Sequence, residues 1–136
     1  MLAQKKIAVI GSGTMGRSIA SGLLRSGKVG PKALRATART KASAEKIAKE
    51  LGLPCTTANA EAAADADIVI LCVKPKDVAK AVESIKGKRR KPPLVISIAA
   101  GISTGFIEGN FGDATPVLRA MPNTPCLIGK GMTVLS

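Results

Sequence analysis

The sequence implies an α/β fold of the doubly wound kind: a mainly parallel sheet with helices on both faces, in a single domain. Short apolar runs alternate with stretches of helical periodicity from one end of the chain to the other. Those runs are aliphatic and nearly continuous, as suits strands buried on both faces. The first of them ends in a glycine-rich turn that opens a helix. A length of 136 residues fits one domain.

Residues 6–11 (KIAVIG) read as a central strand ending in glycine. Residues 14–26 place Met15, Ile19, Leu23 and Leu24 on one helical face, and Gly27 stops that helix. A second strand covers 34–38. Ala44, Ile47, Ala48 and Leu51 follow at helical spacing until Gly52. A short strand falls near 54–57, and Asn59 reads as the N-cap of a small alanine-rich helix. Residues 67–73 (DIVILCV) make the strongest strand in the chain. Pro75 opens the next helix, with Val78, Val82 and Ile85 facing inward. Residues 94–99 (LVISIA) form another strand, and Ser103 caps a short helix that Gly105 and Gly109 weaken. Residues 115–120 (TPVLRA) are a further strand, and 131–135 (GMTVL) begin one more. Right-handed crossovers join parallel strands of this kind. The chain shows no internal repeat and no internal domain boundary.

Composition removes whole classes of chemistry. Hydrophobic residues make up 46%, enough for a buried core, yet there are two Phe and no Trp, Tyr or His. Histidine acid–base catalysis, histidine metal ligation and tyrosine acids are therefore excluded on this chain. Cys55, Cys72 and Cys126 are odd in number and far apart, which suits reduced thiols and offers no metal site.

The formal net charge of +12 attracts polyanions. Much of it sits in Lys86, Lys88, Arg89, Arg90 and Lys91, beside Pro92 and Pro93. No aromatic residue interleaves with these charges to stack on a base. The stretch reads as a solvated loop between a helix and a strand, so a nucleic-acid partner is not expected. Five residues before the first strand are too few for a leader, and no apolar run reaches the roughly 20 residues that span a bilayer. The expectation is a cytoplasmic protein with no membrane partner.

Residues 11–16 read GSGTMG, a G-x-G-x-x-G that follows a strand and opens a helix. Gly11 permits the tight turn. Gly13 lets a pyrophosphate approach the backbone, and Gly16 lets the helix pack closely on the strand. Free N–H groups at the helix start then face the anion. This is the dinucleotide-binding motif of a Rossmann-type fold. At the end of the second strand, where an NAD site places an acid, the sequence reads Ala38-Arg39-Thr40-Lys41. No carboxylate is there to repel a 2′-phosphate, and Arg39 can grip one in a two-pronged contact. NADP(H) is the expected cofactor and NAD the weaker alternative. In the plainer reading Arg39 and Lys41 only begin a solvated helix. Three further segments fall where strands end: Cys72-Val73-Lys74-Pro75, Ser97-Ile98-Ala99-Ala100-Gly101 and Met121-Pro122-Asn123-Thr124-Pro125. Ligands of open α/β sheets bind at that edge.

GSGTMG, ILCVKPKDV, VISIAAGIS and RAMPNTPCLIGKGMTVL, in that order and spacing, resemble the pyrroline-5-carboxylate reductases over essentially the whole chain. The glycine motif alone would also admit prephenate, 6-phosphogluconate and β-hydroxyacid dehydrogenases. The resemblance implies hydride transfer from NADPH to the cyclic imine carbon of pyrroline-5-carboxylate, giving L-proline. It sets Ser12, Gly13, Thr14 and Met15 on the pyrophosphate, Arg39 and Lys41 at the 2′-phosphate, and Asn59 near the adenosine. It runs Val73, Lys74 and Pro75 along the cleft and Ala99, Ala100 and Gly101 toward the nicotinamide. It brings Met121, Pro122 and Asn123 near the reacting ring. It names no catalytic acid or base here, because the cofactor carries the hydride chemistry.

Two departures stand out. Thr14 occupies a position where the family often has Asn, and a hydroxyl still donates to phosphate. Family members also carry a second, all-helical domain, which makes the dimer and supplies most of the imino-acid pocket. The expectation is that residues 1–136 form the cofactor domain without it, bind NADPH with little or no turnover, and form a homo-oligomer only with that helical part. The second reading is a non-catalytic NADP-binding or interaction module.

Overall fold

The computed structural model describes residues 5–86, 92–112, 115–122 and 133–135. The elements follow the chain as β1 (Ile7–Ile10), α1 (Thr14–Arg25), β2 (Leu34–Thr37), α2 (Lys41–Leu51), β3 (Cys55–Thr56) and α3 (Asn59–Ala63). After these come β4 (Ile68–Leu71), a 3-10 turn (Pro75–Asp77) running into α4 (Val78–Ile85), β5 (Leu94–Ser97), α5 (Thr104–Phe111), β6 (Val117–Pro122) and β7 (Thr133–Leu135). The strands form one sheet in the order β3-β2-β1-β4-β5-β6-β7. All neighbours from β3 to β6 pair in parallel, and β7 pairs antiparallel with β6. This is the doubly wound Rossmann order with one antiparallel strand added.

Successive residues of a strand point to opposite faces, and both faces here are apolar. Ile7 and Val9 of β1 pack with Ala20, Leu34 and Ile70 under α1. Ala8 and Ile10 pack on the other face with Val69, Leu71, Val82 and Phe111, among α3, α4 and α5. The continuous aliphatic runs are the direct consequence, since a strand covered on both sides has no polar face to show.

Helix ends follow local chemistry. Thr40 caps α2 by accepting from the Ser43 N–H at 3.1 Å, and Gly52 ends it in a left-handed turn. Ser103 caps α5 by accepting from Phe106 N–H at 3.0 Å. That helix survives Gly105 and Gly109 because Ile107 and Phe111 are anchored in the core. Two sequence expectations need correction. Asn59 is the first residue of α3 rather than its N-cap; Ala58 holds the cap position, and the Asn59 amide instead donates to Ser84 Oγ. Pro75 opens a 3-10 turn, closed by Asp77 N–H donating to Lys74 C=O at 2.8 Å, and the α-helix starts at Val78.

The order of the sheet reverses between β1 and β4. The chain runs outward from β1 through β2 to β3, then returns to lay β4 on the opposite side of β1. The carboxyl ends of β1 and β4 therefore flank a crevice, and that is where the fold can hold a ligand.

Candidate functional site

The crevice is a cleft of about 590 Å³. Gly11 and Gly13 form one part of its wall, Thr37, Ala38 and Arg39 another, and Cys72, Val73 and Lys74 a third. These are the turns that follow β1, β2 and β4. Thr57 and Asn59 close it from the start of α3, and Asp77, Lys80, Ala81 and Ser84 line it from the turn and helix after β4.

The glycine turn is shaped by close contacts. Gly11 has a φ of +92°, and a methyl group there would meet Val73 Cγ1 at 2.8 Å. At Gly16 a methyl would collide with the Gly11 carbonyl oxygen, so α1 seats directly on the turn. Gly13 differs from both. It is exposed, and among the described residues a methyl there would meet nothing within 4 Å beyond its own chain neighbours. The protein itself does not require glycine at 13, whereas a ligand pressed against the backbone would.

Gly13 is also the N-cap of α1 and has no side chain to cap it. The first helical bond runs from Arg17 N–H to Gly13 C=O at 2.9 Å. The N–H groups of Thr14, Met15 and Gly16 precede that bond and are left for an outside acceptor. The first turn of α1 contains no acid to compete for them. An anion is the natural occupant of such a helix end.

Charge around the rest of the cleft is chiefly positive. Arg39, Lys74 and Lys80 are exposed at its wall, and Asp77 is the one carboxylate among the lining residues. The end of β2 carries Thr37, Ala38 and Arg39 and no acid. Cys72 is chemically quiet, because burial pushes its thiol up to about 12. Burial also raises the Cys55 thiol, partly offset by the Ser12 hydroxyl and the Thr56 backbone.

The geometry brings together Gly11, Gly13, Arg39, Asn59, Val73 and Lys74 in one wall. Thr14 and Met15 lie in the first turn of α1, beside that wall. The Ser12 hydroxyl is buried, and Ser12 is not among the residues lining the cleft. Lys41 is exposed as the first residue of α2 and is not among the residues lining the cleft, whereas Arg39 is. Pro75 is exposed at the start of the 3-10 turn. Ala99 is buried, its N–H donating to Ser97 Oγ at 3.2 Å, while Ala100 and Gly101 are exposed after β5 on the same edge of the sheet. Met121 and Pro122 end β6. Asn123, Cys126 and the basic residues Lys88 to Lys91 lie outside the described residues.

Residues 6–101 match the model of a family described as NADP oxidoreductase, coenzyme F420-dependent. The chain belongs to that family. Among curated relatives it is similar to pyrroline-5-carboxylate reductase of Corynebacterium melassecola, 38% identical over 133 residues, covering 96% of this chain and 49% of the relative. Among solved structures it matches a pyrroline-5-carboxylate reductase of Coxiella burnetii at a TM-score of 0.89 and 36% identity, over 96% of this chain and 48% of that one. It also matches the Plasmodium falciparum pyrroline carboxylate reductase solved with NADP bound, at a TM-score of 0.85 and 28% identity, over 98% of this chain and 48% of that one. The chain spans about half the length of the curated relatives it matches.

For a member of this NADP oxidoreductase family, the residues missed by sequence reasoning are as informative as those it found. Thr37, Thr57, Asp77, Lys80 and Ser84 all line the cleft. Asp77, Lys80, Ala81 and Ser84 recur at helical spacing, so they form one stripe beside the buried stripe of Val78, Val82 and Ile85. Reading the second face of that helix as well as the first would have found them. Among the described residues no group of acids and cysteines could hold a metal ion, and no helix is long and apolar enough to cross a membrane.

Proposed function

We propose that the cleft binds NADP(H), and that the chain is the cofactor-binding part of a pyrroline-5-carboxylate reductase. The observation that carries the cofactor assignment is the pairing of two features in one cleft. A helix start without a side-chain cap, with an open glycine, stands beside the end of β1, and an exposed arginine with no acid beside it in sequence stands at the end of β2.

Each feature has a task. The N–H groups of Thr14, Met15 and Gly16 hold the pyrophosphate, and Gly13 lets it come close. Arg39 takes the 2′-phosphate, a contact absent from NAD. Val73 and Lys74 flank the dinucleotide beyond β4, and Ala100 and Gly101 lie on the same edge for its nicotinamide end. When bound, NADPH supplies a hydride. The substrate is assigned through the 38% identity to a named pyrroline-5-carboxylate reductase and the SIAAGIS and MPNTP segments. The electrophile is the imine carbon of pyrroline-5-carboxylate, and the product is L-proline. Alone, these 136 residues give little or no turnover, because the imino acid needs a pocket beyond the dinucleotide cleft.

Calorimetric titration of the chain with NADPH and with NADH tests the assignment. Tighter binding of NADPH is expected. Binding of neither, or equal binding of both, overturns the cofactor assignment. A fast proline-forming rate from the chain alone overturns the assignment of the imino-acid pocket elsewhere.

A further inference from the structure

Ser84 lies on α4 where that helix meets the start of α3. Its hydroxyl donates to the Ala81 carbonyl at 2.6 Å and accepts from Asn59 Nδ2 at 3.1 Å. A serine hydroxyl carries one proton. With that proton committed to Ala81, Ser84 Oγ can only accept from Asn59. The amide nitrogen must therefore be the end that faces Ser84. The amide group is planar, so its oxygen is held at the opposite corner. The Asn59 side chain makes no other hydrogen bond among the described residues. Asn59, Ala81 and Ser84 all line the cleft.

The residues near them say what this corner would meet. Ala38 and Arg39 follow β2, and Thr57 follows β3, on the β2–β3 side of the same cleft. When a pyrophosphate lies on the start of α1, the adenosine half extends toward the end of β2. Its 2′-oxygen carries the phosphate in NADP(H). The donors left on that half are the adenine 6-amino group and the ribose 3′-hydroxyl. Both are hydrogen-bond donors and both need an acceptor.

We propose that Ser84 is a positioning residue for cofactor recognition: it orients the Asn59 amide so that its oxygen accepts a hydrogen bond from the adenosine half. Without Ser84 the amide is free to turn. It then presents nitrogen as readily as oxygen, and half of its orientations offer the ligand the wrong group. The role rests on NADP(H) occupying this cleft.

The test is a double-mutant cycle on the full chain, read as NADPH affinity. Ser84→Ala is expected to weaken binding by roughly twofold to fivefold: twofold from halving the productive orientations, and more as the freed amide must be ordered on binding. Ser84→Thr, which keeps the hydroxyl, restores it. In an Asn59→Ala background the Ser84→Ala loss disappears, which a merely structural role for Ser84 would not produce. Melting curves establish that each variant is folded, and Ser84→Cys enters the same comparison should the alanine variant not fold. Repeating the cycle with the hypoxanthine analogue of NADPH separates the two donors. The Ser84 effect vanishes there if the 6-amino group is the donor, and persists if it is the 3′-hydroxyl. Unchanged affinity in Ser84→Ala, or an equal loss in both backgrounds, overturns the role of Ser84. No NADPH binding by the unsubstituted chain overturns the assignment of the cleft itself, a separate result.

Discussion

The Gly11 N–H donates to the Thr37 hydroxyl at 2.9 Å, which joins the turn after β1 to the end of β2. Thr37 is 2% exposed and Gly11 half-buried, so this is a part-buried bond between two parts of the cleft wall. Thr37→Val keeps the shape and removes the acceptor. Stranding a part-buried donor costs about 1–3 kcal/mol. Denaturant unfolding of Thr37→Val should show a loss of that size, and Thr37→Ser should recover most of it. A valine variant as stable as the parent would mean that the turn satisfies its N–H in another way.

Gly13 and Gly16 belong to one motif and should respond to alanine in opposite ways. At Gly16 the added methyl meets the Gly11 carbonyl, so α1 must shift and the fold should lose stability. At Gly13 the methyl meets nothing within 4 Å among the described residues beyond its chain neighbours, and the backbone there is extended with φ −71°. Gly13→Ala should therefore melt close to the parent, within about 1 kcal/mol. It should still lose NADPH affinity, since the methyl stands where the pyrophosphate approaches. Thermal melts beside NADPH titrations of the two variants check the contrast.

The fold was legible because its signals are local. Each central strand reads as an aliphatic run, and helix stops at Gly27 and Gly52 both carry positive φ. The glycine turn was legible for the same reason. What depends on which strands are neighbours was less visible. Thr37 is an ordinary strand residue until β2 lies beside β1 and its hydroxyl meets Gly11. Asn59 is in a favourable position to cap a helix by sequence, but packing of α3 beside α4 offers it Ser84 instead. Lys41 sits two residues from Arg39 in sequence, but it is the first residue of α2 and is not among the residues lining the cleft.

Arg39 should decide which cofactor is preferred. It lines the cleft with an exposed side chain after β2. Removing a charge-assisted contact to a 2′-phosphate costs roughly tenfold or more in affinity. Arg39→Ala should lose that much for NADPH and little for NADH, which lacks the phosphate. Arg39→Glu should go further, since a carboxylate repels the phosphate and can accept from a free 2′-hydroxyl. Lys41→Ala should change neither by much. Equal losses for both cofactors in Arg39→Ala would move the 2′-phosphate contact elsewhere.

Cys72 gives the chain an alkaline stability limit whose sign follows from its pKa. Burial raises the thiol from 9.0 to about 12 in the fold. Below pH 9 the thiol keeps its proton in both states, and the full stability is present. Between 9 and about 12 the unfolded chain releases the proton and the folded chain does not. Stability must then fall as pH rises, by at most about 1.4 kcal/mol per pH unit from this group. Lysines titrate in the same range, so the parent curve alone does not isolate the thiol. Cys72→Ala keeps the Cβ, which a methyl added at Gly16 would meet at 3.3 Å, and removes only the sulfur. The difference between the two stability curves should therefore widen in favour of the alanine variant as pH rises above 9. Parallel curves across that range would mean that the thiolate is accommodated in the fold and that Cys72 is open to the cleft it lines.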